Sequence, residues 1–104
     1  MANFITNTMG FTEATITENG SLQCFYKLTN LLSKDFKIAF TNKVDEFDSI
    51  NWSFKFKRKK FNLFFNIYNG TSIVPEKRDK ASASENEAVV ALATQIREKF
   101  HNLG

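Results

Sequence analysis

Residues 50–75 read INWSFKFKRKKFNLFFNIYNGTSIVP. Trp52, Phe54 and Phe56 alternate with polar residues before a cationic run, Lys57-Arg58-Lys59-Lys60; Phe61, Leu63, Phe65 and Ile67 alternate after it. A period of two places every second side chain on one face of a strand. The stretch therefore predicts a β-hairpin with an apolar face and a basic tip. With Phe56 opposite Phe61, Phe54 meets Leu63 and Trp52 meets Phe65; a slip by one residue would set the aromatics against the wrong face. Residues 57–60 hold no Gly or Asn, which a two-residue turn favours, so a four-residue loop exposing all four cations is expected. Asn69-Gly70 marks a second turn. Pairing Tyr68 with Thr71 sets Ile67 against Ser72 and Phe65 against Val74. A third strand then runs to Pro75, which lacks an N–H and ends the ladder or lies at an edge.

The opposite face of this meander carries Ser53, Lys55, Asn62, Phe64, Asn66, Tyr68 and Ile73. In the expected register Phe64, Tyr68 and Ile73 form an apolar island with Lys55 at its rim. Such an island suits a protein-binding patch or homodimer face; it is equally what a covered second sheet surface would look like.

Around the meander the pattern is less even. Residues 1–10 carry little pattern and read as a loose N-terminal arm. Phe11 to Thr17 alternates and is rich in threonine, which favours extended backbone. In residues 21–34, Leu22, Phe25, Leu28, Leu31 and Leu32 share one helical face behind a candidate N-cap, Ser21. Leu22, Cys24, Tyr26 and Leu28 also alternate after Asn19-Gly20, so a strand competes; the length of the stripe favours the helix. Lys37 to Phe40 is a short strand candidate, and Thr41 to Ser49 a polar connection. Ser84-Glu85-Asn86-Glu87 matches a capping box, followed by an apolar stripe of Ala88, Val89, Leu92, Ala93, Ile96 and Phe100. Together these predict one α+β domain over residues 11–104. It has two layers: an antiparallel sheet of about four strands, made of the meander 50–75 and an N-terminal strand, packed against helices at 21–34 and 84–101.

The chain has 104 residues, room for one domain. Its 12 phenylalanines supply large apolar area for a small core. Cys24 is the only cysteine, which excludes an intrachain disulfide and fits a reducing compartment. No secretory signal pattern and no membrane-length apolar run occur, so a cytoplasmic protein is expected. The net charge of +3 is unevenly spread: residues 50–80 hold eight basic and two acidic side chains. The positive field belongs to the hairpin tip and to Lys77, Arg78 and Lys80.

Enzyme constellations fare worst. With one His and one Cys, a Cys24–His101 dyad would need a tertiary coincidence. Two such ligands are too few for zinc, and Asp45, Glu46 and Asp48 lack the glycine and closing glutamate of a calcium loop. No metal, cofactor or membrane partner is expected. Two binding readings remain. The first is a small non-catalytic domain that engages a protein partner, or a second copy, through Phe64, Tyr68, Ile73 and Lys55. The alternative is a nucleic-acid-binding domain in which Lys57, Arg58, Lys59, Lys60, Lys77, Arg78 and Lys80 contact phosphates and Phe64 and Tyr68 stack on bases. A small enzyme of unidentified activity comes third. The order helix, meander, C-terminal helix over residues 21–100 is similar to the layout of double-stranded-RNA-binding domains. That family's lysine-rich start of the last helix is matched here by the acidic Ser84-Glu85-Asn86-Glu87-Ala88, so the likeness is of topology alone.

Overall fold

The structure is a computed structural model and describes residues 5–8, 11–77 and 80–101, with backbone only at 6–8. The elements run β1 (Ile5–Thr8), β2 (Phe11–Thr17), α1 (Leu22–Asp35), β3 (Phe40–Asp45), β4 (Ser49–Phe56), β5 (Lys59–Asn66), β6 (Gly70–Pro75) and α2 (Ala83–His101). This is the expected α+β fold, with six antiparallel strands in the order β1-β2-β6-β5-β4-β3 where about four were expected. Of the expected N-terminal arm, Ile5–Thr8 pairs with β2; the rest lies outside the described residues. The polar connection over residues 41–49 is also largely strand. The strand expected over Lys37 to Phe40 is displaced: β3 begins only at Phe40 and ends at Asp45 as an exposed edge, and an edge that buries little has no alternation to display.

The helix wins over the strand in residues 21–34. The Ser21 hydroxyl accepts from the Cys24 N–H at 3.1 Å, and Asn19 Oδ1 accepts from the Ser21 N–H at 2.9 Å, so the N-terminus is capped twice over. Phe25, Leu28, Leu31 and Leu32 are buried, whereas Leu22, assigned to the same stripe, is half exposed. In α2 the capping box lies two residues before the expected one. The Ser82 hydroxyl accepts from the Glu85 N–H at 3.1 Å, and the Glu85 carboxylate accepts from the Ser82 N–H at 2.9 Å. Both Ser-x-x-Glu patterns fit the rule. The earlier one leaves Asn86 inside the helix, where its Oδ1 accepts from the Thr12 N–H at 2.9 Å and ties α2 to β2.

The core lies between the helices and one face of the sheet. Trp52, Phe54, Phe61, Leu63 and Phe65 point inward as expected and are buried. The Phe25 ring sits 5.2 Å from both Trp52 and Phe65, edge-on to the first, and Phe54 stacks on Phe61 at 5.4 Å. The strand pairing differs from expectation in two instructive ways. Phe54 is opposite Phe61, Trp52 opposite Leu63 and Phe56 opposite Lys59. That is a shift of two residues, which keeps the inward set inward. It arises because the tip is a two-residue turn: Lys57 and Arg58 hold φ of 50° and 70°, the positive pair that a tight right-twisted hairpin requires.

The second difference is odd in number and so changes a face. Leu63 is opposite Ile73, and Phe65 opposite Thr71. Ile73, expected on the outer face, is therefore in the core at 0 % exposure. The β5–β6 loop closes between Asn66 and Gly70 instead of around Asn69-Gly70. Gly70 begins β6 at φ 86°, and a Cβ there would lie 2.1 Å from the Thr17 carbonyl oxygen. Ile67, expected in the core, falls past the end of β5 and is exposed. β6 lies between β2 and β5, not at an edge, and Pro75 is its last residue.

α2 is fixed to β2 at an irregularity. The β2–β6 pairing steps from Thr15–Ser72 to Thr17–Thr71, so Ile16 is an extra residue. The Arg97 guanidinium donates to the carbonyl oxygens of Thr15 (2.9 Å) and Ile16 (3.2 Å), supplying partners where the ladder is interrupted.

Candidate docking site at the acidic end of the sheet

The sheet has two chemically opposite ends. At one, the 57–58 turn gathers Lys57, Arg58, Lys59 and Lys60. Lys77 joins them, because the Glu76 N–H donates to the Lys60 carbonyl at 3.2 Å and Lys59 and Lys77 both act electrostatically on Glu85. Lys55 lies directly opposite Lys60, so the cations repel one another across the ladder. Lys80, held by a backbone bond to Lys77, belongs to the same end. Arg78 lies outside the described residues.

The other end, about 25 Å away along an eight-residue strand, collects the β3–β4 turn, the β5–β6 loop and the start of α1. The Ile67 N–H donates to the Asp48 carbonyl at 3.3 Å. Gly20 lies so near the Ile67 backbone that a Cβ would approach its carbonyl oxygen to 2.0 Å, so only glycine lets α1 begin there. These close approaches bring Leu22, Tyr26, Phe47 and Ile67 around one groove of about 190 Å³, floored by Ile50 and Phe65 and edged by Asp45, Glu46 and Asp48. Six large apolar side chains are exposed among the described residues, and four of them line this groove. Phe47 is fully exposed, at 103 %. Asp45 is held in place: its carboxylate accepts from Trp52 Nε1 at 2.8 Å.

The residues singled out from the sequence fall in different places. Ile73 is in the core, as described, and cannot anchor a partner. Phe64 is outward but half-buried and in contact with neighbouring groups. Tyr68 is 76 % exposed in the β5–β6 loop and lines a shallow pocket with Glu13, Thr15 and Ser72 on the outer side of the sheet. Lys55 is exposed at the basic end. The expected island of Phe64, Tyr68 and Ile73 is thus not assembled. The outer face between them holds polar pairs instead. Ser53 Oγ donates to Asn62 Oδ1 at 2.7 Å, the Thr15 and Ser72 hydroxyls are 3.4 Å apart, and Ser53, Asn62, Ser72 and Val74 are all buried.

Sequence reasoning missed all four, Leu22, Tyr26, Phe47 and Ile67. Phe47 sits among Asp45, Glu46 and Asp48, and an aromatic isolated in an acidic loop was the available signal.

The Cys24–His101 pair comes closer than its sequence separation suggests. Both line a groove of about 460 Å³ with Lys27 and Phe100. The thiol is half-buried and the imidazole is exposed, and the two are not hydrogen-bonded to each other. No group of three or more His, Cys, Asp or Glu able to hold a metal occurs among the described residues. No described helix is long and apolar enough to cross a membrane. No protein-family model matches the chain, and no curated protein or solved structure is significantly similar to it.

Proposed function

We propose that the chain is a small non-catalytic protein-binding domain whose docking surface is the groove of Leu22, Tyr26, Phe47 and Ile67. The observation that carries this reading is the convergence of four exposed apolar side chains on one concavity. Scattered exposed hydrophobics are ordinary; a clustered set with a polar rim marks an interaction surface. The rim is acidic, so the partner is a segment that offers one or two apolar side chains flanked by lysine or arginine. Covering Phe47 and the exposed halves of the other three removes apolar area worth about 5 kcal/mol gross. The cost of association takes up most of this gain, so binding to a short segment is weak and reversible.

The test is selection of peptides from a random displayed library on the immobilised chain. Enriched peptides carry an apolar residue beside basic ones, and Phe47→Ser abolishes their binding. Failure to enrich any peptide, or equal binding to Phe47→Ser, overturns the reading.

A second reading rests on the basic end, where two lysine groups distant in sequence are brought together. Phosphate contact there would make a nucleic-acid-binding surface. The aromatic side chains expected to stack on bases lie elsewhere: Tyr68 is at the opposite end, and Phe64 is half-buried in mid-sheet. This reading predicts affinity for single- or double-stranded nucleic acid that falls steeply with salt. No gel shift at low salt removes it.

A further inference from the structure

We propose that the chain pairs with a second copy of itself through β3, strand against antiparallel strand, about a two-fold axis at Val44. β3 is the last strand of the sheet, and one side of it faces no other strand among the described residues. Thr41 to Asp45 is exposed throughout, and Val44 stands out on the face away from the helices.

The two charges on either side of Val44 are already oriented, both by the same indole. The Lys43 ammonium lies 4.5 Å from the Trp52 ring centroid, and the Asp45 carboxylate accepts from Trp52 Nε1 at 2.8 Å. Lys43 and Asp45 pair with Trp52 and Ile50, which puts both on the helix side of the strand. In an antiparallel pair, residues directly opposite share a face. A two-fold axis at Val44 therefore sets Val44 against the partner's Val44, Lys43 against the partner's Asp45, and Asp45 against the partner's Lys43. An axis at Lys43 would oppose two ammonium groups, and one at Asp45 two carboxylates. Of these three positions only Val44 opposes unlike charges.

Lysine and bulges on edge strands ordinarily prevent such pairing. Here the irregularity falls between Phe40 and Asn42, before the paired stretch. The charge on Lys43 finds its complement in the second copy. Asp45 also edges the groove, but the pairing rests on the backbone and charges of β3 and not on the apolar side chains around Phe47, and the cross-link at position 44 leaves that rim intact.

The experiment is sedimentation of the whole chain from about 10 µM to 1 mM, a span that covers the weak range short strand pairing provides. The expected result is a monomer–dimer equilibrium. Lys43→Glu and Asp45→Lys each set like charges opposite and weaken it about tenfold or more. The combined exchange restores it, because the opposite-charge pairing is rebuilt with its signs reversed. Asp45→Lys also loses the bond to Trp52, so a second measurement bypasses that change. In a Cys24→Ser background, Val44→Cys should cross-link between copies on oxidation, and Asn42→Cys should not. A monomer at 1 mM, single variants without effect, a double variant that stays as weak as the singles and no cross-link at position 44 would each overturn the proposal.

Discussion

The tip of the β4–β5 hairpin makes the most quantitative prediction. Lys57 and Arg58 both hold positive φ, a region that costs an ordinary residue about 1 kcal/mol or more and that glycine and asparagine tolerate. They also stand among Lys55, Lys59 and Lys60, with Lys55 directly across from Lys60. Replacing the pair by Lys57→Asn and Arg58→Gly relieves the backbone at both positions and removes two like charges. Against this stands the larger conformational freedom of glycine in the unfolded chain, about 0.5–1 kcal/mol. The net gain is about 1–2 kcal/mol. For a domain of this size that raises Tm by about 5–10 °C. Thermal unfolding followed by circular dichroism measures it. Raising salt should narrow the gap between variant and parent, because screening relieves part of the parent's repulsion. An unchanged or lowered Tm would refute the reasoning. In a four-residue loop without positive φ, the same substitutions would only add freedom to the unfolded state and would destabilise the protein.

Other outcomes follow from single contacts. Arg97→Met keeps the aliphatic stem but strips the Thr15 and Ile16 carbonyls of their donor; urea unfolding should show a loss of about 2 kcal/mol, the scale of hydrogen bonds to a charged group. Ile73→Ala empties a fully buried position and should cost about 2–5 kcal/mol, whereas Phe47→Ala should lie within about 0.5 kcal/mol of the parent; equal costs would mean the face assignment of β6 is wrong. The Glu85 carboxyl is held below the usual glutamate range by its hydrogen bonds with Ser82, with Lys59 and Lys77 assisting. A depressed folded-state pKa contributes stability above the unfolded pKa and loses it as pH falls through the folded value. Helix α2 should therefore loosen as the pH drops below the ordinary carboxylate range, and Glu85→Gln should abolish that part of the pH dependence; a pH profile of unfolding identical to the parent's would contradict the capping box.

The inward face of the meander was legible because burial on one face imposes a strict period of two. Trp52, Phe54, Phe61, Leu63 and Phe65 could only be core or nothing. The register was not legible to the residue, because a shift of two leaves that pattern intact and only turn geometry separates the choices. Turn chemistry misled twice. Lys57-Arg58 adopts a turn that its side chains disfavour. At Asn69-Gly70 the loop closes from Asn66, and the odd displacement carried Ile73 across the sheet. β3 escaped notice because an edge strand exposed along its length has no alternation to read. The groove was hidden for a different reason: Leu22, Tyr26, Phe47 and Ile67 come from three separate parts of the chain, and only packing at Gly20 and the Ile67–Asp48 hydrogen bond brings them together. Periodicity places Leu22 and Ile67 in the core, since it does not reveal where an element ends.

The most direct measurement of the binding account is a map of amide shifts in the isotopically labelled chain, titrated with a peptide enriched by selection. The account predicts that perturbed amides cluster at Leu22, Tyr26, Asp45 to Ser49 and Ile67, with Lys57 to Lys60 unmoved. Shifts concentrated at the basic tip, or spread over Asn62, Phe64 and Ser72, would contradict it.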